Sequence, residues 1–147
     1  MWLVFVVIAA LSWGSYIPTI RIGQVALGSP FRAFLFISLA YTIMGIVVSG
    51  GMLSLTNQPG AYTMRGMTIS TLAGLLGAGG ALGVVLALYN GGTPTTVTPL
   101  IFSFAPIVGV VVGMMITPPR MAINPMFFVG IAVVAVGTAL VLAYQPH

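Results

Sequence analysis

Catalysis in proteins draws on a short set of side chains, and this sequence holds few of them. Its basic residues are Arg21, Arg32, Arg65 and Arg120, its one histidine is His147, and it contains no Asp, Glu or Cys. General acid–base chemistry needs a carboxylate, a thiol, a lysine or an internal histidine, and none lies within the apolar stretches. Serine triads, paired aspartates, two-histidine haem ligation and Schiff-base lysines are excluded by the same inventory. The expectation is therefore no enzyme, no metal site and no cofactor.

What remains is polar and aromatic chemistry suited to binding. Trp13, Ser15, Tyr16, Tyr41, Asn90, Thr98 and Ser103 are the candidates for lining a cavity that holds a small polar solute. Tyr89 belongs to the same aromatic and amide group, although aromatics near helix ends also serve as headgroup anchors. Arg21 has two readings: it snorkels to the membrane interface, or it faces a cavity and attracts an anion. Arg32, Arg65 and Arg120 read as boundary residues.

The elements that position these groups follow from composition. Of the 147 residues 59% are hydrophobic and 3% charged, whereas soluble domains carry roughly a quarter charged residues. A bilayer core of about 30 Å is crossed by about 20 apolar residues in a helix, and the chain supplies that length about five times. No alternating pattern of the transmembrane-barrel kind is present. The expected fold is all-α and integral to the membrane, a single domain over residues 1–147 with helices near 2–20, 30–55, 67–89, 96–116 and 125–144. Scattered single arginines make no exposed basic stripe, so nucleic acid is not an expected partner, whereas the lipid bilayer is. No cleavable signal peptide is expected, because apolar sequence begins without a basic leader.

Local signals set the breaks. Ser29-Pro30 and Asn124-Pro125 each pair an N-cap residue with a first-turn proline, and Arg32 then falls in a first turn while Arg65 precedes helix three. Thr56-Asn57-Gln58-Pro59-Gly60 reads as a turn, Asn90-Gly91-Gly92 as a stop, and Thr117-Pro118-Pro119-Arg120 as the end of helix four. Five crossings place the chain ends on opposite sides, with Arg21, Arg32 and His147 on one and Arg65 and Arg120 on the other. By the positive-inside rule the arginines tie, which fits insertion in both orientations as well as a charge count too small to read.

Small residues and prolines mark the spans. Gly79 with Gly83, and Gly109 with Gly113, have the GxxxG spacing that lets helix backbones approach closely. They read as helix packing, or as surfaces on which helices slide or line a path. Pro99 and Pro106 lie inside helix four and free the carbonyls of Thr95 and Phe102. In a membrane such carbonyls persist only where protein, a side chain or cavity water satisfies them, so these prolines are candidate kinks or part of a polar wall.

Three stretches carry a family resemblance: WGSYIPTIRIGQ from Trp13, TTVTPLIFSFAPIVGVVVGMM from Thr95, and FFVGIAVVAVGTALVLAY from Phe127. Together with the spacing of the spans they resemble an EamA-like five-helix unit of the drug/metabolite transporter superfamily, closest to its sugar-uptake branches. The resemblance covers essentially the whole chain through Gly, Pro and small residues at rough spacing. It implies one of two inverted repeats of a ten-helix transporter, partnered by an inverted homodimer copy or another half-size chain in a bacterial inner membrane. Its function would be moving a small polar metabolite by alternating access. A non-transporting membrane scaffold or partner subunit is the rival reading. The chain departs from the family at Pro118-Pro119-Arg120, where an acidic residue is common. Without membrane carboxylates, uniport, exchange or sodium held by carbonyls and hydroxyls are the couplings left open.

Overall fold

Every helix after the first follows a polar residue at the N-cap position. In the computed structural model, which describes residues 2–56, 60–117 and 123–144, the helices are α1 (Trp2–Leu27), α2 (Pro30–Leu55), α3 (Met64–Tyr89), α4 (Pro94–Ile116) and α5 (Pro125–Ala143). Among the described residues there is no strand. Ser29 is extended at the start of α2, with its Oγ accepting the Arg32 N–H at 3.4 Å and Pro30 following. Asn124 repeats the device for α5, its Oδ1 accepting from the Met126 N–H at 3.0 Å. Thr63 caps α3 through a 3.2 Å bond from the Gly66 N–H. At α4 the Thr93 N–H donates to Thr96 Oγ1 at 3.3 Å, and the Thr93 hydroxyl lies 2.8 Å from that of Thr95.

Helix ends depend on backbone conformation more than on polarity. The sequence reading ended the first helix near Ile20, yet α1 continues to Leu27. Arg21 and Gln24 are good helix formers, and nothing interrupts the coil until Gly28 adopts φ +60. Helix α3 starts at Met64, so Arg65 sits inside its first turn rather than ahead of it, because the Thr63 cap admits the preceding residues. Helix α4 likewise starts at Pro94 rather than Thr96, with Pro in the first turn where its missing N–H costs nothing. Asn90 caps the end of α3, and Gly91 at φ +98 turns the chain away. The expected turn residues Asn57, Gln58 and Pro59, the segment Pro118-Pro119-Arg120, and His147 lie outside the described residues.

All five helices are long and apolar enough to cross a membrane. Their apolar side chains point largely outward: Phe5 is 68% exposed, Leu76 79% and Met115 78%. A soluble monomer rarely exposes contiguous apolar surface beyond a few hundred Å², so hydrocarbon is the medium that makes these surfaces favourable. The chain is an all-α protein built as a multi-pass membrane protein.

Its contacts gather into two compact units, one of Met1–Ile17 with Gly92–His147, the other of Pro18–Gly91. Composition carries no trace of this grouping, because one border falls between Ile17 and Pro18 inside a continuous helix. In the first unit α4 and α5 lie side by side, and Thr96, Val97 and Thr138 are buried. Helix α4 runs unbroken through Pro99 and Pro106. In the second unit α2 packs on α3, and its core is Ile20, Ala33, Ala81, Val84, Val85 and Leu88.

Candidate functional site

The second unit holds a cleft where the end of α1, the start of α2 and the end of α3 converge. It is an open hollow of about 180 Å³ lined by Arg21, Gln24, Val25, Gly28, Ser29, Pro30 and Tyr89. Its geometry begins with Gly28. The left-handed φ of +60 reverses the chain within two residues, so the first turn of α2 stands beside the last turn of α1.

Arg21 and Gln24 are three residues apart and therefore share a face of α1. Both reach α3: Arg21 Nη1 donates to the Leu88 carbonyl at 3.1 Å, and Gln24 Nε2 donates to the Val85 carbonyl at 2.7 Å. The Leu88 carbonyl is among the last four of its helix, which have no intrahelical donor. A guanidinium there satisfies the carbonyl and complements the negative end of the helix, together worth about 1 kcal/mol. This stitch between α1 and α3 is one structural task of Arg21.

The stitch leaves two demands unmet. A guanidinium has five N–H donors, and these 147 residues contain no Asp or Glu to balance its charge. Gln24 is only 6% exposed, and its Oε1 is buried without a hydrogen-bond partner among the described residues. The amide cannot simply be flipped, because the Val85 carbonyl requires the NH₂ group opposite it. A buried acceptor left in this state costs about 1–3 kcal/mol.

Of the residues read from the sequence as candidates for a cavity lining, Arg21 and Tyr89 line this cleft. Trp13 and Tyr16 meet edge to face, ring centroids 5.5 Å apart. The Ser15 hydroxyl donates to the Leu11 carbonyl at 2.8 Å, and Ser103 Oγ to the Pro99 carbonyl at 2.6 Å. Thr98 Oγ1 is buried and has no hydrogen-bond partner among the described residues. Tyr41 is exposed on α2. Asn90 is a helix cap whose Nδ2 donates to the Leu86 carbonyl at 2.8 Å, and it is not among the residues that line this cleft. Trp13, Ser15, Tyr16, Thr98 and Ser103 belong to one unit, while Arg21, Tyr41 and Asn90 belong to the other.

Gln24, Gly28 and Ser29 were not among the candidates. The available signal for Gln24 was its place one turn after Arg21; its pairing with a residue 61 positions away left no local mark. The glycines expected to pack helices face open space. Among the described residues, a Cβ added at Gly79, Gly83, Gly109 or Gly113 meets no atom within 4 Å, so no helix of the same unit packs closely on them. Pro99 and Pro106 both lie within α4 as expected.

Comparison with family models, with curated proteins and with solved structures gives no match to this chain. The class that fold and site define is thus a five-helix chain whose helices are able to span a membrane, with a cleft at the ends of three of them into which Arg21 and Gln24 bring polar groups.

Proposed function

We propose that this chain is a half-size transporter unit in a bacterial inner membrane, an EamA-like repeat that moves a small polar metabolite by alternating access. It works as an antiparallel homodimer or beside a second half-size chain. The observation that supports this reading is the open glycine surface. Gly79 and Gly83 on α3, and Gly109 and Gly113 on α4, have the spacing for close backbone approach, yet within their own units no described residue comes within 4 Å of a Cβ placed on them. A second chain supplies what these faces lack, and a unit with an odd number of crossings meets an inverted copy across such faces.

Reconstitution tests the reading. Purified protein in proteoliposomes takes up one or more members of a sugar, amino-acid and nucleoside panel, and Gly109→Leu with Gly113→Leu abolishes both uptake and cross-linked dimer. A well-folded preparation that moves no member of the panel would count heavily against transport.

The rival, a non-transporting membrane scaffold or partner subunit, draws on a different observation. The hydroxyls of Ser15, Ser38, Thr42, Thr68 and Thr71 each donate to a carbonyl four residues back in their own helix, which leaves those faces compatible with lipid. Single cysteines at Ser15, Tyr41 and Ser103, in a chain with none of its own, separate the readings: labelling by aqueous thiol reagents marks a water-accessible path, and protection from both sides marks a scaffold.

A further inference from the structure

The geometry points to a second binding property, one that does not depend on transport: the cleft at the Gly28 turn holds an oxyanion that carries a neighbouring hydroxyl. The chemical class is a hydroxylated phosphate of the glycerol phosphate type, with its anionic oxygens on Arg21 and its hydroxyl donating to Gln24 Oε1.

Three observations converge on that class. Arg21 spends one nitrogen on the Leu88 carbonyl, is exposed where it lines the cleft, and has no acidic side chain in the sequence to pair with, so its remaining donors are open to an anion from outside the chain. The first turn of α2 adds to the same attraction. Ser29 and Pro30 line the cleft, so the positive end of a 26-residue helix stands at its wall. Arg32, whose Nη1 is 3.4 Å from the Leu27 carbonyl, sets a second cation beside the turn.

The buried Gln24 Oε1 then discriminates among anions. It lacks a donor, and its orientation is fixed by the 2.7 Å bond from Nε2 to Val85, so a fitting ligand brings an O–H or N–H of its own. Charge decides which. An ammonium group would add a positive charge beside Arg21 where no carboxylate exists; a hydroxyl satisfies the same oxygen without charge. The anion offsets the Arg21 charge and the hydroxyl pairs the Gln24 acceptor, an arrangement a site near hydrocarbon favours.

Depth agrees with a source at the interface. Arg21 precedes the end of α1 at Leu27 by about 9 Å of helix rise, within reach of headgroups for a side chain that extends outward. Two sources offer this chemistry, the phosphatidylglycerol headgroup and free glycerol phosphate.

The test is binding to the full-length chain in detergent, followed by native mass spectrometry, with three lipids as probes. Phosphatidylglycerol carries the anion and hydroxyls, phosphatidylmethanol the anion alone, and phosphatidylcholine has no net negative charge and no donor. Wild type is expected to prefer phosphatidylglycerol to phosphatidylmethanol about tenfold, the worth of one hydrogen bond to a buried acceptor, and to retain phosphatidylcholine least. Gln24→Met equalises the two anionic lipids, and Arg21→Gln weakens both. Equal binding of the two by wild type, or a preference that survives Gln24→Met, overturns the inference; the wild-type comparison needs no variant to fold. Displacement of the lipid by free glycerol 3-phosphate assigns the site to a solute, and retention against it assigns the site to the headgroup. Failure of proteoliposome uptake leaves these binding results standing, so the two proposals fail separately.

Discussion

Single backbone and hydroxyl groups fix this fold at its turns. A Cβ placed on Gly66 would lie 2.9 Å from Thr63 Oγ1, the atom that caps α3, so Gly66→Ala displaces the cap. Loss of an N-cap costs about 1 kcal/mol, and Ala replaces Gly in a helix with a gain of similar size. Thr63→Ala alone should therefore lower stability by about 1 kcal/mol, whereas Gly66→Ala should gain stability only when made in the Thr63→Ala background. Unfolding in mixed detergent micelles across the four proteins of the cycle measures this coupling, and additive effects would refute it. Gly28 offers a simpler case. At φ +60 an alanine is strained by about 1–2 kcal/mol, so Gly28→Ala should lower the unfolding midpoint and weaken anionic lipid binding together. Asn, which tolerates this conformation, should recover most of both.

At the scale of elements, the two signals that combine an N-cap with a proline were legible because their mechanism is local: Ser29 and Asn124 both accept a backbone N–H within three residues. The end of α1 was not. Arg21, read as snorkelling to the interface or facing a cavity, lay just beyond the expected end near Ile20, but a helix ends where its backbone turns, and Gly28 sets that point. The cleft was illegible for a related reason, since Arg21 and Leu88 are 67 residues apart and neither flags the other in sequence. Helix α4 raises its own question, because Pro106 leaves the Phe102 carbonyl without its helical donor. Pro106→Ala restores an N–H, and a proline inside a helix costs about 3 kcal/mol. The thermal midpoint should rise in detergent while uptake in proteoliposomes falls, if the irregularity serves movement. A stabilised variant with full uptake would mark Pro106 as a plain structural feature.

For the whole molecule, few charges decide how it lies in the membrane. Arg21 and Arg32 flank the Gly28 turn, and Arg65 sits at the other end of α2, in the first turn of α3. Arg65→Gln should break the tie read from the sequence and bias insertion toward Arg21 and Arg32 on the cytoplasmic side. Paired reporter fusions at the C-terminus, one active inside and one outside the cell, read the shift directly. An unchanged ratio would show that something other than arginine count sets orientation.

The stitch from Arg21 to Leu88 also imposes an order in time. Its two residues are separated by 67 positions, so a ribosome adding about 5–20 residues per second leaves the arginine waiting roughly 3–13 s before its carbonyl partner is made. Through that interval the Arg21 guanidinium has no Leu88 carbonyl to donate to. A headgroup phosphate of the kind proposed for the cleft would serve the arginine until α3 arrives to share the task.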